Sequence, residues 1–393
     1  MAHYKYLIIG GGMTSAAAVQ GIRELDQTGS IGIISAEADP PYDRPPLTKA
    51  LWKGKPVESI WRDTESHHVE MLLGRSVRTI ETHHRCVTDD RGESHDYEKL
   101  LLATGGTPRR LPFGGESILY YRTFTDYQRL RALATQGRRF AVIGGGFIGS
   151  EIAAALAMNQ KEVVLLVRGK GICDRVFPAD LSKFVTDYYR QKGVKILTDS
   201  VAEVSRRGNQ LTVKTESGIE IAVDGVVAGL GINPNVELAQ QAGLQVENGI
   251  VVDEMLRTSQ PDIFAAGDVA AFQSPALQKR IRVEHEDNAN TMGRVAGRNM
   301  AGASDAYHHL PMFYSDLFDL GYEAVGELDA SLPVMADWKE PYREGVVYYH
   351  QDGRVRGVLL WNVWGQVDAA RELISDKNGV QIEKLKGMLP KAA

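Results

Sequence analysis

The stretch "FAVIGGGFIGSE", residues 140–151, sets a strand-forming run against three glycines and the opening of a helix, which continues as "IAAALAM" over 152–158. Gly144, Gly146 and Gly149 match G-x-G-x-x-G in the context that motif requires. The first glycine permits a tight turn. The second lets backbone approach a pyrophosphate at the positive end of the helix, and the third lets helix and strand pack closely. A second such piece stands at the start of the chain, "YLIIGGGMTSAAA" over 6–18, with Gly10 and Gly12 in place and the small Ser15 third. One bound dinucleotide needs one turn, so two turns about a domain apart predict an α/β fold with two Rossmann-like nucleotide-binding domains.

The acid that would hold a ribose is expected about 20 residues after each turn. After the first, the predicted strand "IGIISAE" (31–37) ends in Glu37. After the second, "EVVLLV" (162–167) runs into Arg168-Gly169-Lys170, with no acid at the tip. The two sites are therefore expected to hold different ligands or to prefer them differently. Arg168 and Lys170 suit a 2′-phosphate better than a bare ribose.

Length and composition narrow the classes. The chain has 393 residues, 43% hydrophobic and 24% charged, with a formal net charge of −5. That balance is an ordinary globular one and argues against nucleic acid as a partner. No apolar run approaches the roughly 18 residues of a membrane span. A first strand beginning at Tyr4 leaves no room for a targeting peptide, so a cytoplasmic location is expected. Cys86 and Cys173 are the only cysteines and lie far apart in sequence, so no dithiol of neighbours exists. The histidine pairs at 67–68, 83–84 and 308–309 have no companion ligands at metal-binding spacing, and no metal site is expected.

Four segments follow from the element pattern: 1–115 and 235–307 as two parts of one nucleotide domain, 116–234 as the other, and 308–393 as a C-terminal α+β domain. Within the first, "PPYDRPPLTKALWKGK" (40–55) carries four prolines in seven residues, an extended loop able to present Arg44 and Lys49. "YEKLLLATGGTPRRLP" (97–112) is a buried strand stopping at Thr104-Gly105-Gly106. A strand over 263–266 stops at Gly267-Asp268, where a helix is expected to begin with Asp268 near its amino end. Asp352-Gly353 between alternating runs signals a hairpin in the C-terminal sheet, with an amphipathic helix last.

Taken together, "PYDRPPLTKALW", "ATGGTPRRLP", "GGGFIGSEIA", "RVEHEDNANTMGRVAGRNMAG", "MFYSDLFDLGYEAVGELD" and "GVLLWNVW" span nearly the whole chain. In this order they resemble the two-dinucleotide-binding flavoprotein reductases related to glutathione reductase, most of all the apoptosis-inducing-factor-like members, then the ferredoxin reductases of bacterial oxygenase systems. The resemblance implies FAD and NAD(P)H as cofactors. It places Gly10 and Gly12 on the FAD pyrophosphate, Glu37 on the adenosine ribose, and the Val77 backbone on the adenine. Arg44, Lys49, Thr104, Gly105, Asp268, Glu284, His285 and Tyr314 are counted with the flavin-side contacts. Gly144, Gly146, Gly149, Arg168 and Gly231 fall to NAD(P)H, with Phe147 and Glu151 lining the nicotinamide pocket. Lys49, Glu151, His285 and Phe147 are the implied catalytic set, Lys49 and Glu151 as a pair beside the flavin. Many relatives carry Trp where Tyr314 stands, and relatives preferring NADH often carry an acid at the tip after the second strand.

The implied activity passes hydride from NAD(P)H to FAD and electrons onward to a quinone, a ferredoxin or oxygen. Two alternatives stay open at this point. One is a ferredoxin or rubredoxin reductase of an electron-transfer chain. The other is an NAD(P)H-responsive redox sensor whose reduced form pairs into a homodimer.

Overall fold

A computed structural model describes residues 2–208 and 210–390. The chain divides into two compact units. One contains the residues up to Arg44, Val57–Thr107 and Asn233–Pro311; the other contains Pro45–Pro56, Pro108–Ile232 and the chain from Met312 onward.

The first unit is built on a parallel core in which Ile31–Ser35 and Ser94–Leu102 flank Ala2–Ile9. Val69–Leu73 extends it beyond Ile31–Ser35, and Ile263–Ala265 pairs with the end of Ser94–Leu102. Cys86–Asp89 and Val77–Glu81 add antiparallel strands at the other end. Central strands covered on both faces read as continuous apolar runs, and every residue of Ile31–Ser35 is buried. Two helices on this sheet, Met13–Leu25 and Glu286–Met300, meet at backbone distance. An ideal Cβ on Gly297 would stand 2.0 Å from the Ala18 carbonyl oxygen, one on Gly293 2.4 Å from that of Thr14, and one on Gly21 2.1 Å from that of Arg294.

The second unit repeats the parallel plan with five strands in the order Lys195–Thr198, Glu162–Val167, Arg139–Ile143, Gly225–Ala228, Ile118–Tyr120. A three-stranded antiparallel sheet, Val201–Arg207, Gln210–Thr215 and Glu220–Val223, accompanies it. Five antiparallel strands between Met312 and Trp361 form the C-terminal sheet, followed by the helix Val367–Ser375. The Asp352-Gly353 turn lies where the hairpin signal put it, both residues at positive φ (52° and 73°). Residues Pro45–Pro56 form single 3₁₀ turns that pack on this unit, with the Tyr121 hydroxyl donating to the Leu47 carbonyl at 2.5 Å and the Asn159 amide donating to the Trp52 carbonyl at 3.2 Å.

One expectation is corrected. No helix starts at Asp268: Gly267–Val269 is a single 3₁₀ turn and the chain re-enters a strand, Ala270–Ser274. The turn ends at Ala270, whose backbone is already extended (φ −86°, ψ 133°), and the buried run Ala270-Ala271-Phe272 completes a small sheet instead. Among the described residues no helix is long and apolar enough to cross a membrane.

The contact between the two helices is expected to tolerate no added side chain. Gly297→Val should cost at least about 2 kcal/mol by overpacking. A denaturant-unfolding midpoint equal to that of the wild type would show that these helices can separate freely.

Candidate active site

In the first unit the turn after Ala2–Ile9 is held by its own backbone. Gly10 sits at φ +111°, and a Cβ there would stand 2.2 Å from the Ala103 oxygen. Ser15, in place of the third glycine, donates its hydroxyl to the Gly10 carbonyl at 2.5 Å, so the departure from the motif tightens the turn. Gly12 faces open space; the nearest heavy atom to a Cβ built there is an Arg44 guanidinium nitrogen at 3.9 Å. Such an open backbone cradle facing a cation fits a pyrophosphate.

Glu37 lies two residues past the end of its strand and is engaged on both oxygens. Arg44 ion-pairs with one, and the Tyr42 hydroxyl donates to the other at 2.5 Å. Arg44 also lies over the Tyr42 ring, 5.1 Å from its centroid. The proline-rich loop thus ties Arg44 to the predicted ribose acid rather than holding it out alone. Tyr42 gave no signal of this role, because nothing local marks a tyrosine that braces a carboxylate five residues earlier.

The remaining predicted positions of this unit fall into three groups. Val77 is buried at the start of its strand. Thr104 and Gly105 are fastened to Asn235, whose amide donates to the Thr104 carbonyl at 2.8 Å and whose N–H donates to that of Gly105 at 3.0 Å. Near the 3₁₀ turn, Arg282 donates to the Asp268 carbonyl at 3.0 Å and ion-pairs with Glu284 at 2.9 Å. His285 occupies the N-cap position of the helix Glu286–Met300. Desolvation holds its imidazole down at about 4 against the opposing pull of Asp268 and Asp287, so it is neutral at ordinary pH. Sequence reasoning missed Asn235 and Arg282, since both act through backbone carbonyls distant in the chain. Asp89, Glu93 and His95 also approach one another, but the Arg75 guanidinium already bridges the two carboxylates.

In the second unit the turn after Arg139–Ile143 obeys the motif at each glycine. Gly144 takes φ +110° against the Gly229 oxygen, a Cβ on Gly149 would stand 1.8 Å from the Gly144 oxygen, and Gly146 faces open space. Gly231, also open, receives the Arg109 N–H on its carbonyl at 2.9 Å. Phe147 opens the helix Phe147–Met158 with its ring 5.2 Å from that of Phe313. Arg168 stands exposed just past Glu162–Val167.

The predicted pair is formed. Lys49 Nζ lies 2.7 Å from Glu151 Oε1, with side chains 12% and 4% exposed. Glu151 also accepts from the Thr48 hydroxyl at 2.5 Å on Oε2 and from the Ser315 hydroxyl at 2.5 Å on Oε1. Lys49 lies 5.3 Å from the centroid of the Tyr314 ring, a cation–π contact. Thr48 and Ser315 were not foreseen, because a hydroxyl supporting a remote carboxylate leaves no pattern in sequence.

Both cysteines are free and buried, and burial raises both thiols, Cys173 to about 12. Neither is poised as a nucleophile or a relay.

These turns and their order are those of a known profile. Residues 4–293 match the pyridine nucleotide-disulphide oxidoreductase family, and 296–341 and 335–376 match the mitochondrion-associated C-terminal domain of apoptosis-inducing factor. The chain belongs to the pyridine nucleotide-disulphide oxidoreductase family. It is 33% identical to apoptosis-inducing factor 1 of Dictyostelium discoideum, over 96% of this chain and 79% of that protein. It is 31% identical to putidaredoxin reductase of Pseudomonas putida, over 97% and 94%. Its fold matches the reductase in the covalent putidaredoxin reductase–putidaredoxin complex with a TM-score of 0.89 at 31% identity, covering 96% and 94%. The protein is accordingly an FAD-dependent oxidoreductase that takes electrons from NAD(P)H and delivers them to an acceptor. The open cradles at Gly12 and Gly146 fit two dinucleotides, and the family name's disulphide has no dithiol here to correspond to.

The buried pair supplies a direct check. Glu151→Ala strands an ammonium and two hydroxyls, and removing one partner of a buried ion pair costs about 3–5 kcal/mol. The apparent Tm should fall clearly, and a Lys49→Met/Glu151→Leu double variant should recover much of the loss. An unchanged Tm in Glu151→Ala would mean that the pair is not closed in solution.

Proposed function

We propose that the acceptor is a ferredoxin-type iron–sulfur protein, which makes this enzyme a ferredoxin reductase. The observation that carries the reading is the missing thiol relay: with Cys86 and Cys173 unpaired, buried and protonated, electrons have no covalent way station in this protein. They must leave the cofactor directly, which rules out dithiol exchange and leaves iron–sulfur carriers, quinones and oxygen as acceptors. The near end-to-end likeness to putidaredoxin reductase supports this choice over a quinone or oxygen. Two unpaired cysteines suit a reducing compartment, and we place the enzyme in the cytoplasm.

Bound FAD and NAD(P)H supply the redox chemistry itself, hydride passing from nicotinamide to flavin. The protein's share is binding, orientation and charge. We assign FAD to the first unit, with Gly10 and Gly12 on its pyrophosphate, Glu37 on its ribose, Arg44 on its phosphates, and Val77, Thr104, Gly105, Asp268, Glu284 and His285 shaping the rest of the site. A neutral His285 donates or accepts a hydrogen bond without adding a charge. We assign NAD(P)H to the second unit, on Gly144, Gly146 and Gly149, with Gly231 and Phe147 confining the nicotinamide. With a flavin bound, Lys49 would supply the positive charge that offsets its reduction, Tyr314 would lie alongside the ammonium, and Glu151 would keep that ammonium oriented.

Two outcomes are expected. In stopped-flow work the yellow protein reduced by NAD(P)H should be reoxidised faster by ferredoxins than by quinones or oxygen, with ferredoxin-dependent reduction of cytochrome c. Fast reoxidation by oxygen alone, unaffected by any ferredoxin, would sink the proposal. Lys49→Ala should retain FAD, lower the flavin midpoint by roughly 30 mV or more, about 1.4 kcal/mol for a two-electron couple, and slow reduction. A wild-type midpoint and rate would remove Lys49 from the flavin's surroundings.

A further inference from the structure

The loop that follows Glu162–Val167 is a built structure. A Cβ on Gly145, in the glycine turn, would stand 2.8 Å from a Val167 methyl, so the strand's end abuts the turn directly. The loop then folds back onto that turn, with the Cys173 N–H donating to the Gly145 carbonyl at 2.8 Å. The helix Ala179–Gln191 props it from behind: the Thr186 hydroxyl accepts from the Ile172 N–H at 3.0 Å, and the Ser182 hydroxyl donates to the Ile172 carbonyl at 2.7 Å. Cys173 takes φ +52° and turns the chain so that Asp174 reaches back. One Asp174 carboxylate oxygen accepts the Lys170 N–H at 2.7 Å, and the carboxylate is so close to Gly169 that a Cβ there would stand 2.0 Å from it. A side chain at 169 would have to displace the Asp174 carboxylate from this position. Arg168 and Lys170 flank that glycine, exposed, and among the described residues neither side chain has an ion-pair or hydrogen-bond partner.

A Rossmann lobe reads the adenosine ribose at this place: an acid takes the 2′-hydroxyl, a cation the 2′-phosphate. Asp174 is the only acid in the loop, and one of its oxygens is already engaged by backbone. The cations are the groups left to meet a ligand. We propose that the loop Arg168–Asp174 is a preformed 2′-phosphate site, so that the enzyme prefers NADPH to NADH. Arg168 and Lys170 are the specificity-determining residues, and Asp174 is a positioning residue that holds the loop by its grip on Lys170. The inference rests on the assignment of NAD(P)H to this unit.

Adenosine 2′,5′-bisphosphate and 5′-AMP differ only by the phosphate at issue, and their binding to the holoenzyme can be measured by calorimetry without turnover. The bisphosphate should bind at least tenfold tighter, with a margin that narrows as salt rises. Arg168→Glu should remove that margin and leave 5′-AMP unchanged. Asp174→Ala separates positioning from charge. Deleting an anion near the site would tighten bisphosphate binding if only charge mattered, whereas loss of the loop's shape weakens it several-fold, with 5′-AMP affinity and apparent Tm unchanged. Equal affinities for the two probes in the wild type, or tighter bisphosphate binding in Asp174→Ala, would overturn the inference while the nucleotide assignment stood. Failure of 5′-AMP, the bisphosphate and NADH all to bind would overturn both.

Discussion

The arrangement depends above all on the buried carboxylate of Glu151. An ion taken out of water costs several kcal/mol unless its partners repay it, and Glu151 has an ammonium and two hydroxyls. Those donors come from Thr48, Lys49 and Ser315, so one carboxylate draws together the proline-rich segment, a nucleotide-lobe helix and the edge of the C-terminal sheet. The Tyr314 ring against Lys49 and the Phe147–Phe313 contact continue the same junction in apolar form. Position 151 is thereby constrained twice, by the helix that carries it and by the charge it must neutralise.

The two glycine turns show how one backbone device is tuned by its surroundings. Both place a glycine at φ near +110° against a carbonyl just past the end of the neighbouring parallel strand, and both leave the second glycine open. They part at the third position. Gly149 lets the helix close onto the turn, whereas Ser15 closes it with a hydroxyl hydrogen bond. They part again at the strand tip. Glu37 is embraced by Arg44 and Tyr42, an acid held ready and already oriented. The corresponding loop of the second unit spends its acid on its own backbone and turns its cations outward.

The charges also sort the chemistry. His285 is kept neutral by desolvation, and Cys173 is kept protonated by burial. The buried ammonium of Lys49 is matched one for one by a carboxylate. Groups that would otherwise compete as nucleophiles or relays are thus silent.

Much was legible in the residues alone. Strand–glycine–helix order made the two lobes readable, because only glycine fits a turn pressed against a neighbouring carbonyl. Continuous apolar runs marked the parallel strands, and Asp352-Gly353 marked its hairpin, since left-handed φ values are cheap for those residue types. The Lys49–Glu151 pair was readable only through family resemblance; 102 positions apart, the two carry no mutual signal. Tertiary structure decided the rest. It placed Pro45–Pro56 with the second unit, replaced a helix at Asp268 with a 3₁₀ turn and a strand, and recruited Thr48, Ser315, Asn235, Arg282 and Asp174. Each of these acts by a hydrogen bond to a backbone carbonyl or N–H, or to a carboxylate mostly far along the chain. Such bonds depend on where the fold brings the chain back on itself, and local propensity does not encode that return.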